Sequence, residues 1–311
     1  MTKKTIGLIV GGVLIFSFIG AMLFNSDQPQ KSADRVIHIV AAENVWGSLA
    51  SQIGGEHVQV TNIITDPNAD PHEYEATAED ARQIADADIV ILTGAGYDSW
   101  AEKLVQAGGK PGRQVLNIAQ YQNKHVGDNP HLWYRSNSTA PIANSIEGLI
   151  VAMVAESGTD ALQDVTQRLE KLSVSLTANQ QHVSQIKEHY AHTKVASTED
   201  VFGYLADEAG LDVITPPAFT HAVSEGTDPP TASVVEFEKQ LRNKEAKVLI
   251  YNTQTVTPLT ERMKKLAEQQ GIPVVGMTET IQPPNALFQD WMGSQITALA
   301  DALASSTRAT K

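Results

Sequence analysis

Residues 160–190 read DALQDVTQRLEKLSVSLTANQQHVSQIKEHY, and this stretch decides the architecture of the chain. No glycine or proline occurs between residues 159 and 202. Apolar side chains recur in steps of three, four and seven residues, with Asn179 in the missing slot: Leu162, Val165, Leu169, Leu172, Leu176, Val183, Ile186 and Tyr190. The spacing predicts one amphipathic helix. About 30 residues at ~1.5 Å each span about 45 Å, longer than a small domain is wide.

Two structures account for such a helix. Four heptads with a narrow apolar seam approach the pattern of a coiled-coil dimer. The alternative is a rigid helix laid across two lobes of one chain. We favour the second interpretation and expect a monomer.

Strand-length and helix-length apolar patterns alternate on both sides of the long helix, which indicates parallel sheets wrapped by crossover helices. The predicted strands are Val36–Ala42, His57–Ile64, Asp88–Leu92 and Val115–Ile118 before the helix, and Lys194–Ser197, Leu211–Ile214, Val248–Tyr251 and Pro273–Val275 after it. The predicted fold class is α/β, with two parallel-sheet lobes joined by one long rigid linker helix. The predicted boundaries are 35–157 for the first lobe, 158–191 for the linker helix and 192–308 for the second lobe.

Residues 1–30 have the pattern of an export signal or membrane anchor with a polar tether. Lys3 and Lys4 precede residues 6–24, which carry no charge. This run is longer than the roughly 7–15 residues of a signal-peptide core, and close to the roughly 20 residues that span a bilayer. No Ala-x-Ala site follows Phe24. We favour an uncleaved anchor that holds the folded part on the extracytoplasmic face. The alternative is a cleaved signal and a secreted or periplasmic protein.

Composition excludes several kinds of protein. Of the 311 residues, 42% are hydrophobic and 19% charged, which is enough apolar content for a packed core. The net charge of −13 argues against a nucleic-acid partner, because phosphate binding needs clustered lysine and arginine. The sequence contains no cysteine, so disulfides, thiolate metal ligands and a lipidated cysteine are not available to it.

Two Pro-His steps are the first candidate ligands: Asp70-Pro71-His72 and Asn129-Pro130-His131. Proline fixes its own φ and restricts the preceding residue, so both histidines sit on stiff loops. Each loop follows a β/α unit, and open parallel sheets bind ligands outside the carboxyl ends of their strands. The other histidines are interpreted as structural, except His125, a weak candidate, and His221, which we expect near a cleft mouth in a loop over residues 216–230.

Two carboxylates occupy comparable places in the second half of the chain. Glu199 follows the strand that ends at Ser197, and Glu279 follows the strand that ends near Gly276. We expect Asp200 to cap the helix that follows it, because acidic residues stabilise helix N-termini. Glu199 is then free to point into the cleft.

These motifs, in this order around a long helix, resemble the metal-binding solute-binding proteins of bacterial ABC importers (the zinc/manganese class, periplasmic solute-binding protein family 9). The motifs are Asp70-Pro71-His72-Glu73-Tyr74-Glu75, Ala87-Asp88-Ile89-Val90, Asn129-Pro130-His131-Leu132-Trp133, Glu199-Asp200-Val201-Phe202-Gly203-Tyr204, Ser224-Glu225-Gly226 and residues 271–279. The resemblance implies that metal is held in the cleft between the lobes and delivered to an ABC permease in the membrane.

The resemblance also implies the ligands: His72, His131, Glu199 as the third and Glu279 as the fourth. In place of Glu279 the family usually has an aspartate, which is one carbon shorter. The histidine-rich loop of many zinc-binding members and the lipobox cysteine are absent.

Two histidines and two carboxylates combine nitrogen and hard oxygen ligands. Imidazole suits zinc and iron, whereas carboxylates suit manganese. If both carboxylates bind through two oxygens, the ligand count reaches six, more than the four that zinc usually takes. We therefore favour Mn²⁺, with Zn²⁺ next and Fe²⁺ as a third candidate.

The main rival function is a metallohydrolase, but we expect no enzyme. Catalytic zinc sites keep one position open for water, whereas four protein groups are available here. The sequence has no His-Glu-x-x-His helix and no Gly-x-Ser-x-Gly elbow. A surface adhesin or receptor is a further alternative, which only the predicted anchor supports.

Overall fold

The computed structural model describes residues 35–66, 70–155 and 158–308. The first part of this chain builds a parallel sheet in the order β2-β1-β3-β4. Its strands are β1 (Ile37–Glu43), β2 (Val58–Ile64), β3 (Ile89–Leu92) and β4 (Gln114–Asn117). Its helices are α1 (Asn44–Gly54), α2 (Ala78–Asp86), α3 (Ser99–Ala107), α4 (Ile118–Tyr121) and α5 (Ser136–Val154).

A second parallel sheet of the same topology, in the order β6-β5-β7-β8, follows the long helix α6 (Thr159–Tyr190). Its strands are β5 (Lys194–Ser197), β6 (Asp212–Val213), β7 (Leu249–Asn252) and β8 (Val274–Met277). Its helices are α7 (Gly203–Ala209), α8 (Pro217–Ser224), α9 (Thr231–Arg242), α10 (Pro258–Gln269) and α11 (Phe288–Arg308). The predicted α/β class with two parallel sheets and one long helix is confirmed.

Each sheet reverses its strand order between its two central strands. In the first sheet Ile39 of β1 pairs with Val60 of β2 on one side and with Ile89 of β3 on the other. In the second sheet β5 lies between β6 and β7. The crevice outside the carboxyl ends of such a central pair is where open α/β sheets bind ligands.

Helix α6 buries its predicted seam within its own chain. Val165, Leu172, Leu176 and Ile186 are all buried and belong to one apolar core that also includes residues of both sheets. The helix packs against α1, α5, α7 and α11. The coiled-coil alternative is therefore wrong, because the apolar seam that would pair two chains is already covered.

All eight predicted strands occur in the structure, but some helices were missed. Helix α3 was not predicted, and the predicted loop over residues 216–230 contains α8. Helix α8 begins at Pro217. Proline is tolerated in the first turn of a helix because the N–H that it lacks would have no partner there. Reading Pro216-Pro217 as a loop signal was therefore wrong, since the second proline starts a helix.

Thr77 and Asp80 form a capping box at the start of α2: the Thr77 side chain accepts from Asp80 N, and the Asp80 carboxylate accepts from Thr77 N. Within residues 35–66, 70–155 and 158–308, no helix is both long and apolar enough to cross a membrane. The export segment or anchor predicted for residues 1–30 lies outside the described residues. The boundaries predicted for the lobes stay a prediction.

Candidate metal centre

The structure brings the four predicted side chains together beside the carboxyl ends of both sheets. They come from four separate loops: His72 in a short 3₁₀ turn after β2, His131 before a second such turn, Glu199 after β5 and Glu279 after β8. One ligand atom each from His72, His131 and Glu199 lies within 4.8 Å of the other two. The side chains of His131, Glu199 and Glu279 are buried. His72, whose side chain is 17% exposed, is the most accessible of the four.

Glu279 contacts both histidines. Its Oε2 lies 3.2 Å from Nε2 of His131 and 3.4 Å from Nε2 of His72. The hydroxyl of Tyr97 donates a hydrogen bond to the same oxygen at 2.7 Å. Glu279 thus reaches the histidines with the longer glutamate side chain.

His131 is oriented by Asn129. The side-chain oxygen of Asn129 lies 2.8 Å from Nδ1 of His131 and accepts the backbone N–H of the same residue at 2.9 Å. When Nδ1 carries the proton, Nε2 keeps its lone pair for a metal. Nε2 faces Glu279 at 3.2 Å and Glu199 at 3.7 Å.

His72 is held by its own turn and by aromatic contacts. The Asp70 carboxylate accepts the backbone N–H of His72 at 2.9 Å. The imidazole makes edge contacts with Tyr97 and His131, at centroid distances of 4.7 and 5.5 Å. Nε2 of His72 is shielded from solvent and makes no hydrogen bond of regular geometry among the described residues; its nearest charged neighbour is Glu279 Oε2 at 3.4 Å. A cation bound between these two atoms satisfies both.

Glu199 combines two roles that the sequence had divided between neighbours. Its Oε2 accepts the backbone N–H of Val201 at 2.8 Å, so Glu199 caps the 3₁₀ turn Asp200–Phe202. The prediction that Asp200 caps the following helix was wrong. Asp200 is the first residue of the 3₁₀ turn, and Glu199 is its N-cap. Oε1 of Glu199 accepts a hydrogen bond from Ser224 at 2.6 Å and lies 3.7 Å from Nε2 of His131.

The charges of the centre compensate one another. Burial raises the pKa of Glu199, against the lowering effect of His131. Burial also acts to raise the pKa of Glu279, but His72 and His131 together hold it well below its usual range. Burial acts to lower the pKa of His72, yet the Glu279 carboxylate raises it to about 9. The imidazolium of His72 thus supplies positive charge opposite two buried carboxylates.

Sequence reasoning missed Asn252, the last residue of β7. Its side-chain amide donates to Glu199 Oε2 at 3.1 Å and to Glu279 Oε1 at 2.6 Å. The predicted strand ended one residue earlier, at Tyr251. Sheet topology identifies Asn252. It is the last residue of β7, which pairs with β5 where the strand order reverses, and ligands bind at the carboxyl ends of such strands.

Asp70 is a second residue that was not singled out. One of its carboxylate oxygens lies within 4.8 Å of ligand atoms of both His72 and Glu279. The Pro-His motif contains Asp70, so the sequence offered a signal for it.

The weaker histidine candidates lie apart from this cluster. His125 is exposed, and its backbone N–H bonds to Asp128. His221 is exposed on α8 and lines a cavity of about 290 Å³ together with His72, Asn129 and Asp200. This cavity gives His221 the position near a cleft mouth that was expected.

The chain matches a known family over most of its length. The model of the family described as zinc-uptake complex component A, periplasmic, matches residues 39–302. The manganese-binding lipoprotein MntA of Bacillus subtilis is 22% identical over 278 residues, which cover 87% of this chain and 86% of that protein. The manganese ABC transporter substrate-binding lipoprotein PsaA of Streptococcus anginosus is 23% identical over 259 residues, covering 77% and 80%.

Solved structures share the fold. The SBP FpvC of Pseudomonas aeruginosa, solved in complex with Mn²⁺, aligns with a TM-score of 0.70 at 20% identity and covers 88% of this chain and 99% of its own. The periplasmic zinc-binding protein TroA of Treponema pallidum aligns with a TM-score of 0.72 at 14% identity, covering 87% and 99%. With the family model matched from residue 39 to residue 302, this chain belongs to the family of the periplasmic zinc-uptake component A.

Proposed function

We propose that this protein is the extracytoplasmic solute-binding component of an ABC importer. It captures a divalent transition-metal ion with His72, His131, Glu199 and Glu279, in the cleft between the two lobes, and delivers it to a membrane permease. It carries out no catalysis of its own and acts as a monomer.

The observation that carries this proposal is the convergence of four potential ligand atoms in a buried centre. Nε2 of His131 lies 3.2 Å from Glu279 Oε2 and 3.7 Å from Glu199 Oε1, and Nε2 of His72 lies 3.4 Å from Glu279 Oε2. Two neutral imidazoles and two carboxylates carry a total charge of −2, which balances a divalent cation. Four protein ligands leave no open position for a reacting water, which favours transport over hydrolysis.

Manganese is the favoured cargo. The relatives MntA and PsaA are described as manganese-binding or manganese-transporting proteins, and the two carboxylates supply hard oxygen ligands. Zinc is the second candidate, because only one oxygen of each carboxylate faces the histidines. Fe²⁺ is the third.

The relatives also support an extracytoplasmic location, because MntA and PsaA are lipoproteins and the family is described as periplasmic. This chain has no cysteine to carry a lipid. We therefore propose that residues 1–30 act as a protein anchor, with signal cleavage and release as the alternative.

Replacing one histidine tests the assignment. The variant His72→Ala removes an imidazole from the centre, and we expect the loss of tight binding of both Mn²⁺ and Zn²⁺. Isothermal titration calorimetry of metal-free protein measures the affinity and the stoichiometry. His125→Ala is the matched control, because His125 is an exposed histidine outside the cluster.

The expected result is one metal per chain for the unmodified protein and for His125→Ala, and none bound tightly by His72→Ala. Unchanged stoichiometry and affinity in His72→Ala would contradict the proposed centre.

A further inference from the structure

One amide connects the two carboxylates of the candidate centre. Asn252 is fully buried, and its side-chain oxygen accepts the backbone N–H of Gln254 at 3.0 Å. This bond turns the NH₂ group toward Glu199 and Glu279, to which it donates at 3.1 and 2.6 Å. The same NH₂ group also lies 3.1 Å from the hydroxyl of Thr255.

The hydrogen bonds of Glu199 leave one acceptor position free. An ionised carboxylate offers about four lone-pair positions, two on each oxygen. Both positions of Oε2 are used, by the backbone N–H of Val201 at 2.8 Å and by the Asn252 amide. Oε1 accepts from Ser224 at 2.6 Å, and its second position faces His131.

Glu279 has the same distribution. Its Oε1 accepts from the Asn252 amide at 2.6 Å and from the Thr255 hydroxyl at 3.3 Å. Its Oε2 accepts from Tyr97 at 2.7 Å, and its remaining position faces the two imidazoles. In both carboxylates the oxygen remote from the histidines therefore already accepts the Asn252 amide and lies within hydrogen-bond distance of a second donor.

We propose that Asn252 is a positioning residue that restricts Glu199 and Glu279 to one metal bond each, so that the centre presents four donor atoms. This inference rests on the proposed function, because it concerns the same site. The four donors are Nε2 of both histidines, Oε1 of Glu199 and Oε2 of Glu279. These four residues then supply four donor atoms, instead of the six that they supply when both carboxylates are bidentate; Asp70 is counted in neither number.

The donors lie close enough to share one ion. A tetrahedron with metal–ligand bonds of about 2.1 Å has edges of about 3.4 Å. Three of the six separations among the four donors are 3.2, 3.4 and 3.7 Å. These three distances lie on either side of that edge.

The consequence concerns selectivity. Zinc is satisfied by four ligands in a tetrahedron, whereas manganese accepts more oxygen ligands in octahedral geometry. By occupying the remote oxygens, Asn252 withholds the additional ligands that would benefit manganese most. Asn252 thus shifts the relative affinity of the centre toward zinc, whichever metal the cell supplies.

The test compares the unmodified protein with Asn252→Ala, loaded separately with Zn²⁺ and with Mn²⁺. X-ray absorption spectroscopy measures the coordination number, and competitive titration measures the ratio of the two affinities. Asn179→Ala is the matched control, because Asn179 is a buried asparagine that donates to the backbone oxygen of Gln289, a residue that is not a ligand.

We expect four ligands around Zn²⁺ in the unmodified protein and in Asn179→Ala. In Asn252→Ala we expect five or six ligands around Mn²⁺ and a loss of zinc affinity of about 10–100-fold, the range found when partners of metal ligands are removed. The ratio of manganese affinity to zinc affinity should rise about tenfold. Without Asn252 both oxygens of each carboxylate can bind Mn²⁺, and these added bonds offset the loss of the orienting amide.

Two outcomes overturn the inference. One is bidentate binding of either carboxylate to Zn²⁺ in the unmodified protein. This measurement does not depend on whether a variant folds. The other is an unchanged affinity ratio and coordination number in folded Asn252→Ala. If the unmodified protein binds neither metal, the proposed function itself is wrong, and that result is distinct from either outcome.

Discussion

At the scale of single residues, the positive charge of His72 substitutes for a cation in the metal-free protein. The pKa of His72 is about 9, against about 6.5 for an unperturbed histidine, because Glu279 and Glu199 outweigh the effect of burial. Its imidazolium contributes stability to the metal-free fold that is fully present below pH 6.5. That contribution is lost as the pH rises from 6.5 through about 9.

This charge predicts a pH-dependent affinity. A metal binds only the deprotonated imidazole, so below pH 9 binding must displace the proton of His72. We expect the apparent affinity to rise about tenfold per pH unit between pH 7 and pH 9 and to level off above that. Binding at pH 5 should be much weaker. Calorimetry at pH 7 in buffers of different ionisation enthalpy should count about one released proton per metal, and the release of none would contradict the role of His72.

At the scale of elements, helix α6 is held in place by the row of apolar side chains along one face, its seam, which packs against residues of both lobes. Leu176 is 4% exposed within the shared core, whereas Val174, two residues earlier, is 72% exposed. The two side chains point to opposite sides of the same helix, as the 3.6-residue period requires. Packing of the seam, more than helix propensity, therefore holds the helix in place.

The seam predicts unequal effects of two similar truncations. Leu176→Ala should lower the free energy of unfolding by about 2–5 kcal/mol, because it leaves a cavity in the core. Val174→Ala should change it by less than about 0.5 kcal/mol, since its side chain already meets solvent. Chemical denaturation of metal-free protein measures both values. Equal effects of the two substitutions would mean that the helix does not pack as described.

At the scale of the whole molecule, the lobes are joined by more than the helix. The side-chain amides of Gln52 and Gln289 donate to each other at 3.1 and 2.9 Å. Asn44 accepts the backbone N–H of Ile281 at 2.9 Å, and Tyr134 donates to the backbone oxygen of Thr278 at 2.8 Å. The first pair joins α1 to α11, and the other two bonds reach from the first lobe to the loop of Glu279. Wide hinge opening would break all of them together with the shared core.

This arrangement predicts release by local loop movement. We expect the radius of gyration from small-angle scattering to be the same in the metal-free and metal-loaded protein. Hydrogen exchange should slow on metal binding only in the ligand loops, near residues 70–74, 129–134, 199–202 and 278–282. A clear compaction of the whole molecule on adding metal would instead indicate hinge motion of the lobes.

The sequence by itself determined the α/β class, the eight strands, the long helix and the four side chains that converge. These features depend on local signals: periodicity, strand ends and stiff Pro-His turns. Helix α8 was missed because a proline such as Pro217 is typical both of turns and of the first residue of a helix. Helix α3 was missed because it is short and begins just after the glycine-rich turn Gly94-Ala95-Gly96, whose residues are strong turn signals.

Only the tertiary structure decided which carboxylate oxygens of the candidate centre already accept hydrogen bonds. Their donors are Asn252, Ser224, Tyr97 and Thr255, which come from distant parts of the chain. Sequence reasoning treated each carboxylate as a ligand with two available oxygens. Whether an oxygen is available depends on which donors fold against it, and spacing along the chain does not contain that information.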